Sequence, residues 1–267
     1  MIKGMFVDTS ICIGCKACQV ACKAWNGLAA EPAHFRKDAE TALLAGHFTG
    51  NSYDNTEKMS ATDWRHVSFI EDFNSARTRS RWLFSSDSCK HCTDAACLNS
   101  CPFQAIIRTD LGNVVVLQDK CKGAQECITA CPYGAINYSE KSGTSWKCTL
   151  CNDRIHNGLG TACSKACPTD SIRFGELAQL KKIADARLSQ LRASGESRAH
   201  IYGYTEAKGL NVFYLLLDKP TVYGLPENPK VFQKAATSLA PSAHSANGGL
   251  ITDVLAALFT FRERGGS

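Results

Sequence analysis

All fifteen cysteines of this chain fall into four short stretches, and that spacing constrains the possible folds more than any other feature. The first stretch holds Cys12, Cys15, Cys18 and Cys22, and the second Cys89, Cys92, Cys97 and Cys101. The third holds Cys121, Cys127 and Cys131, and the fourth Cys148, Cys151, Cys163 and Cys167. In the last three stretches the final cysteine stands directly before a proline, Pro102, Pro132 or Pro168. A residue before proline is held extended and out of the helical region. A disulfide framework suits a small secreted domain, whereas this chain has 267 residues and its opening stretch does not read as a signal peptide. Zinc is the stronger bland reading, because CxxC pairs also form zinc knuckles. A zinc site closes with four ligands, however, and does not explain a third cysteine two residues on and a fourth before proline, repeated.

Three closely spaced thiolates followed by a fourth before proline is the pattern with which bacterial ferredoxins hold cubane iron–sulfur clusters. A tight loop can wrap three corners of the cube, and the fourth thiolate reaches across from elsewhere. Composition adds limits. The formal charge of +5 is modest and gives no case for a nucleic-acid partner. No run of 18 apolar residues occurs, so no transmembrane segment is expected. There is no nucleophile–base pair, phosphate-cradling glycine loop or dinucleotide fingerprint, so substrate chemistry is not expected on this chain.

The remaining sequence reads as an α+β fold. Met5–Val7 is a short strand, Lys16–Trp25 a helix, and residues 28–63 lose periodicity. Val67–Ile70 and Arg81–Phe84 are strand-like, and Ala105–Arg108 with Val114–Leu117 forms a hairpin around Asp110–Asn113. Ala135–Tyr138 and Ser171–Phe174 are further strands, Glu176–Arg192 an amphipathic helix, and Val212–Leu217 a buried strand. The proline-spaced remainder reads as an extended arm with a last helix near Leu250–Phe261.

One ligand is missing. Ferredoxin spacing would put a thiolate at position 124, where the chain has Ala124. Either the corner iron is absent, giving a [3Fe-4S] cluster, or water or Glu126 completes a [4Fe-4S] cluster, or the site is degraded. Lys16, Lys90, Lys120, Lys122 and Lys147 flank ligands; most read as solvated surface charges. His91 has no ligand role, because the four-cysteine set around it is complete.

With those motifs in view, the chain resembles the iron–sulfur (beta) subunits of molybdenum or tungsten bis-pterin oxidoreductases, and is most similar to those of formate dehydrogenases. The resemblance rests on Cys12–Asn26, Cys89–Cys92, Cys131–Ile136, Lys147–Arg154, Ala166–Ile172 and the stretches 214–218 and 222–226. It implies two ferredoxin-like two-cluster modules: residues 1–27 with 140–175, and residues 85–139. An insertion would occupy 28–84, and a helix, a strand and a partner-wrapping arm 176–267. It implies that Cys12, Cys15, Cys18 and Cys167 hold one cluster, and Cys22, Cys148, Cys151 and Cys163 the next. Cys89, Cys92, Cys97 and Cys131 would hold a third, and Cys101, Cys121 and Cys127 the incomplete one. The expected cofactors are three [4Fe-4S] clusters and one [3Fe-4S] cluster, or a fourth [4Fe-4S] with a non-cysteine ligand. The expected partner is a large pterin–metal catalytic subunit, with a membrane cytochrome or other acceptor beyond it. The expected location is the cytoplasm, or export folded with a leader-bearing partner, or the membrane periphery. The same role in a sulfur-compound, dimethyl sulfoxide or nitrate reductase, or in a hydrogenase, is the alternative within the class.

Overall fold

A computed structural model describes residues 1–29, 58–73, 76–78 and 80–230, all within one compact unit, Met1–Gln233. The last expected helix, near residue 250, and residues 30–57 lie outside the described residues.

The core is a four-stranded mixed sheet. β1 (Lys3–Asp8) is flanked by β8 (Ile172–Glu176) on one side and β10 (Val212–Leu216) on the other, with β9 (His200–Tyr202) at the edge. β1 and β10 run parallel, Met5 opposite Val212 and Asp8 opposite Leu215, while β8 and β9 run antiparallel to their neighbours. Parallel central strands are covered on both faces and so read as unbroken apolar runs. Met5-Phe6-Val7 and Val212-Phe-Tyr-Leu-Leu216 are such runs, and each residue in them is at most 1 % exposed. Phe6 and Phe213 stack with ring centroids 5.3 Å apart. The long helix α6 (Leu177–Ala193) closes one face through Leu180, Ala184 and Leu191.

The other described elements carry the cysteines. α1 (Ala17–Trp25) follows the first motif, and α2 (Ala96–Ser100), α3 (Glu126–Ala130), α4 (Asn152–His156) and α5 (Ala162–Lys165) belong to the others. Hairpins β4 (Ile106–Arg108) with β5 (Val114–Val116), and β6 (Asn137–Ser139) with β7 (Thr144–Trp146), separate the motifs. Helix α1 packs on α5 and α2 on α3, which pairs the first motif with the fourth and the second with the third. No described helix is long and apolar enough to cross a membrane.

Two stretches sit deeper than the sequence suggests. Within residues 28–84, a long antiparallel pair forms, β2 (Arg65–Phe73) with β3 (Ser80–Ser88), and its Val67 and Leu83 join the main core. β2 also brings Arg65 beneath the cysteines. The described part of the C-terminal stretch, up to residue 230, lies against the protein's own body. There Tyr223 is buried, accepting from Leu217 N–H at 3.2 Å, and Tyr202 Oη donates to Pro226 O at 2.7 Å.

Candidate iron–sulfur centres

The loops that present the cysteines turn sharply. Gly14 has φ +66° and Lys16 φ +58°, and the chain then enters α1 with Cys18 in its first turn. The third motif repeats this backbone: Gly123 has φ +72° and Gln125 +64°, and α3 follows with Cys127 in its first turn. Cys15 and Ala124 therefore occupy equivalent positions, between a left-handed glycine and a left-handed helix cap. The loop keeps the shape that presents a thiolate and presents a methyl group instead.

Four groups of cysteines result. Cys12, Cys15, Cys18 and Cys167 line one cavity of about 300 Å³, part of it open to solvent, with Cys15 exposed. Cys89, Cys92, Cys97 and Cys131 line another of about 460 Å³. Cys101, Cys121 and Cys127 line a third of about 300 Å³, and Ala124, Gln125 and Glu126 complete its wall. Cys22, Cys148, Cys151 and Cys163 are buried and are electrostatic neighbours. Burial pushes the Cys22 thiol up to about 12, and Cys163 and Cys151 add to the shift against the opposing effect of Arg65.

All fifteen cysteines are free of disulfides. Burial raises Cys97 to about 12, against the attraction of Lys147, and Cys151 to about 11. Such thiols stay protonated at neutral pH unless metal displaces the proton. Donors are already aimed at the sulfurs. Ala105 N–H points to Cys101 Sγ at 3.3 Å, Leu150 N–H to Cys148 at 3.3 Å, Ala162 N–H to Cys151 at 3.4 Å and Ser145 N–H to Cys121 at 3.4 Å. Among the described residues, no three His, Cys, Asp or Glu side chains close on a single ion. The cysteines ring cavities instead, an arrangement that fits a multi-iron cluster with a thiolate at each corner.

Buried cations make the same point. Arg65 is 1 % exposed and Lys147 3 % exposed, and among the described residues neither pairs with a carboxylate. Burial opposes the charge of Arg65, and Cys163, Cys18 and Cys148 favour that charge once they are thiolates. Burial likewise disfavours charged Lys147, and Cys89, Cys97 and Cys148 favour its charge once they are thiolates. An ion buried without a partner costs several kcal/mol. Anionic iron–sulfur–thiolate groups on either side are the counter-charge these two residues lack.

Comparison with known proteins agrees with this geometry. Two families, each described as a 4Fe-4S dicluster domain, match the chain, one over residues 11–105 and the other over 80–177. The nitrate-inducible formate dehydrogenase iron–sulfur subunit of Escherichia coli is 37% identical over 229 residues, covering 84% of this chain and 72% of that protein. Formate dehydrogenase subunit beta of Megalodesulfovibrio gigas is 32% identical over 236 residues, 84% of this chain and 97% of that one. This protein belongs to the family of formate dehydrogenase iron–sulfur subunits. One subunit of the anaerobic dimethyl sulfoxide reductase of Escherichia coli, 35% identical over 179 residues, is a more distant likeness covering 67% of this chain and 76% of that one.

In this family member, four polar residues at the centres depart from what their local sequence suggests. Arg65 stands far from any cysteine motif, and only the β2–β3 register brings it to Cys18. Lys147 and Lys90 read as surface charges, but both are buried, whereas Lys120 and Lys122 are exposed as expected. His91, which has no ligand role, is nonetheless fully buried beside the Cys89 cavity.

Proposed function

We propose that this chain is a four-cluster electron relay serving a formate dehydrogenase-type catalytic subunit, with no substrate chemistry of its own. Bound in the four cysteine groups, iron–sulfur clusters supply one-electron redox chemistry. The protein's own residues hold the centres in a row, exclude water and supply charge. The proposed sets are Cys12, Cys15, Cys18 and Cys167; Cys22, Cys148, Cys151 and Cys163; Cys89, Cys92, Cys97 and Cys131; and Cys101, Cys121 and Cys127.

The observation that carries this reading is that short helices bridge adjacent groups. Cys18 and Cys22 lie one turn apart on α1, and the pairs Cys97/Cys101, Cys127/Cys131 and Cys163/Cys167 repeat that spacing. Residues four apart share a helix face about one 5.4 Å turn apart. Each pair thus feeds two neighbouring centres. Between the second and third groups the link is Cys148 with Cys89, close enough that Cys89 adds to the upward shift of the buried Cys148 thiol. The order along the row of centres is therefore Cys12 group, Cys22 group, Cys89 group, Cys101 group.

The fourth centre is a [3Fe-4S] cluster on this reading, since a methyl group at position 124 cannot bind iron. One observation favours a second possibility: Glu126 also lines that cavity, so a carboxylate could complete a [4Fe-4S] cluster there. The division into module 1–27 with 140–175, module 85–139 and a partner-contacting C-terminal region belongs to the same proposal. So do the large pterin–metal partner, an acceptor subunit beyond it, and a soluble or peripheral position.

The test is the complex purified natively without oxygen and treated with formate. Reduction of the clusters, seen as bleaching of their visible absorption, is the expected result. Clusters that stay oxidised while the catalytic subunit is loaded and active would remove formate from the account.

A further inference from the structure

The Cys89–Cys92–Cys97–Cys131 cavity is lined by two buried side chains, His91 and Lys147, that the relay reading does not use. His91 lines it and is fully buried. Its Nδ1 accepts from Val114 N–H at 3.0 Å, so the ring's one proton sits on Nε2. That Nε2–H is buried without a partner among the described residues. An orphaned buried donor is unfavourable, and the acceptors the cavity would offer it are cluster and cysteine sulfurs. Lys147 lines the same cavity. Its Nζ donates to Cys89 Sγ at 3.5 Å, to Cys148 O at 3.0 Å and to Val114 O. Neighbouring Lys90 is already neutralised by Asp87 and adds no net charge.

We propose that His91 and Lys147 are positioning residues that set the potential of the Cys89 centre, His91 by an Nε2–H hydrogen bond to sulfur and Lys147 by an unpaired positive charge. This rests on the relay reading above. Both groups favour the form carrying the extra electron and so raise the potential. Burial keeps their effect unscreened, in contrast to the exposed Lys122 at the Cys101 centre. The third station is thereby held above the value its four thiolates alone would give.

The experiment is an EPR-monitored redox titration of the natively purified complex, wild type against His91→Phe, His91→Gln, Lys147→Gln and Lys147→Arg. His91→Phe and Lys147→Gln should each shift the same cluster signal to lower potential. Lys147→Gln should also shift a second signal, that of the neighbouring Cys148 centre. The donor-keeping His91→Gln and charge-keeping Lys147→Arg should restore most of each shift. Full iron content with no selective shift, or different signals moved by the two, would overturn the proposal. Should His91→Phe or Lys147→Gln lose one cluster, retention in His91→Gln and Lys147→Arg supports it, and equal loss there overturns it. A wild-type protein without iron–sulfur signals would instead sink the relay reading itself.

Discussion

Cys18 Sγ and Ser86 Oγ lie 3.1 Å apart, and the same hydroxyl accepts from the Arg65 guanidinium at 2.8 Å. With its oxygen taken by Arg65, Ser86 is free to donate its proton to the sulfur. A buried cation is thus relayed to a ligand of the first centre through one side chain, and its other arm rests on Ser88 Oγ at 3.0 Å. Replacing Arg65 by Met leaves anionic centres without their counter-charge. The expected cost in the cluster-loaded protein is about 3–5 kcal/mol, the range for breaking one side of a buried charge pairing. Thermal loss of the visible iron–sulfur absorption reads it, and a change under about 1 kcal/mol would show that Arg65 balances no cluster charge.

Ala124→Cys supplies the absent thiolate in a loop already shaped for it, as Cys15 shows. The oxidised three-iron EPR signal should disappear, and a further reduced four-iron signal should take its place. Persistence of the three-iron signal in a fully loaded Ala124→Cys protein would mean that the residue does not face the cluster corner.

Gly14 sits at φ +66° in the first motif, and a Cβ there would meet the Phe84 ring at 2.7 Å and 2.9 Å and Phe69 at 3.0 Å. Gly14→Ala combines backbone strain with a clash against two packed rings. We expect about 1–3 kcal/mol of destabilisation and a selective loss of iron from the Cys12 centre. Gly27, with no heavy atom near its Cβ position, is the control: the same substitution there should leave iron content unchanged.

Removing iron should unfold the centres and spare the sheet. Helices α2, α3, α4 and α5 have four or five residues each, too few to persist without tertiary support. β1 and β10 are held by each other and by α6 through apolar contacts that involve few cysteines. Hydrogen exchange after chelation should show lost protection in the short helices and retained protection at Met5–Val7 and Phe213–Leu215. Uniform loss would mean that the clusters and the sheet form a single cooperative unit.

The cysteine spacing makes the four cysteine groups legible, because a cluster's shape dictates the spacing of its ligands. The central strands are legible as apolar runs, and the Ala105–Arg108 hairpin through its turn residues. The contribution of β2 and β3 to the core is only half visible. Its apolar positions are few, and the burial of Arg65 depends on a register that pairs it with Ser88. The buried state of Lys147 and His91 is not visible at all. Nothing local distinguishes a lysine before a cysteine that faces solvent, such as Lys120, from one that turns inward to a neighbouring motif. The missing ligand at position 124 is plain from spacing alone, and the matched left-handed angles of the two loops give it its structural meaning.

The proposed relay is a row of four centres, three with four thiolates and one with three. Mössbauer spectroscopy of the iron-57-enriched complex, purified without oxygen and left oxidised, measures that composition directly. Three [4Fe-4S] spectra are expected for each [3Fe-4S] spectrum from this chain, once the catalytic subunit's own iron is subtracted. A protein whose cysteine groups carry isolated ions, or fewer than four clusters, would contradict it.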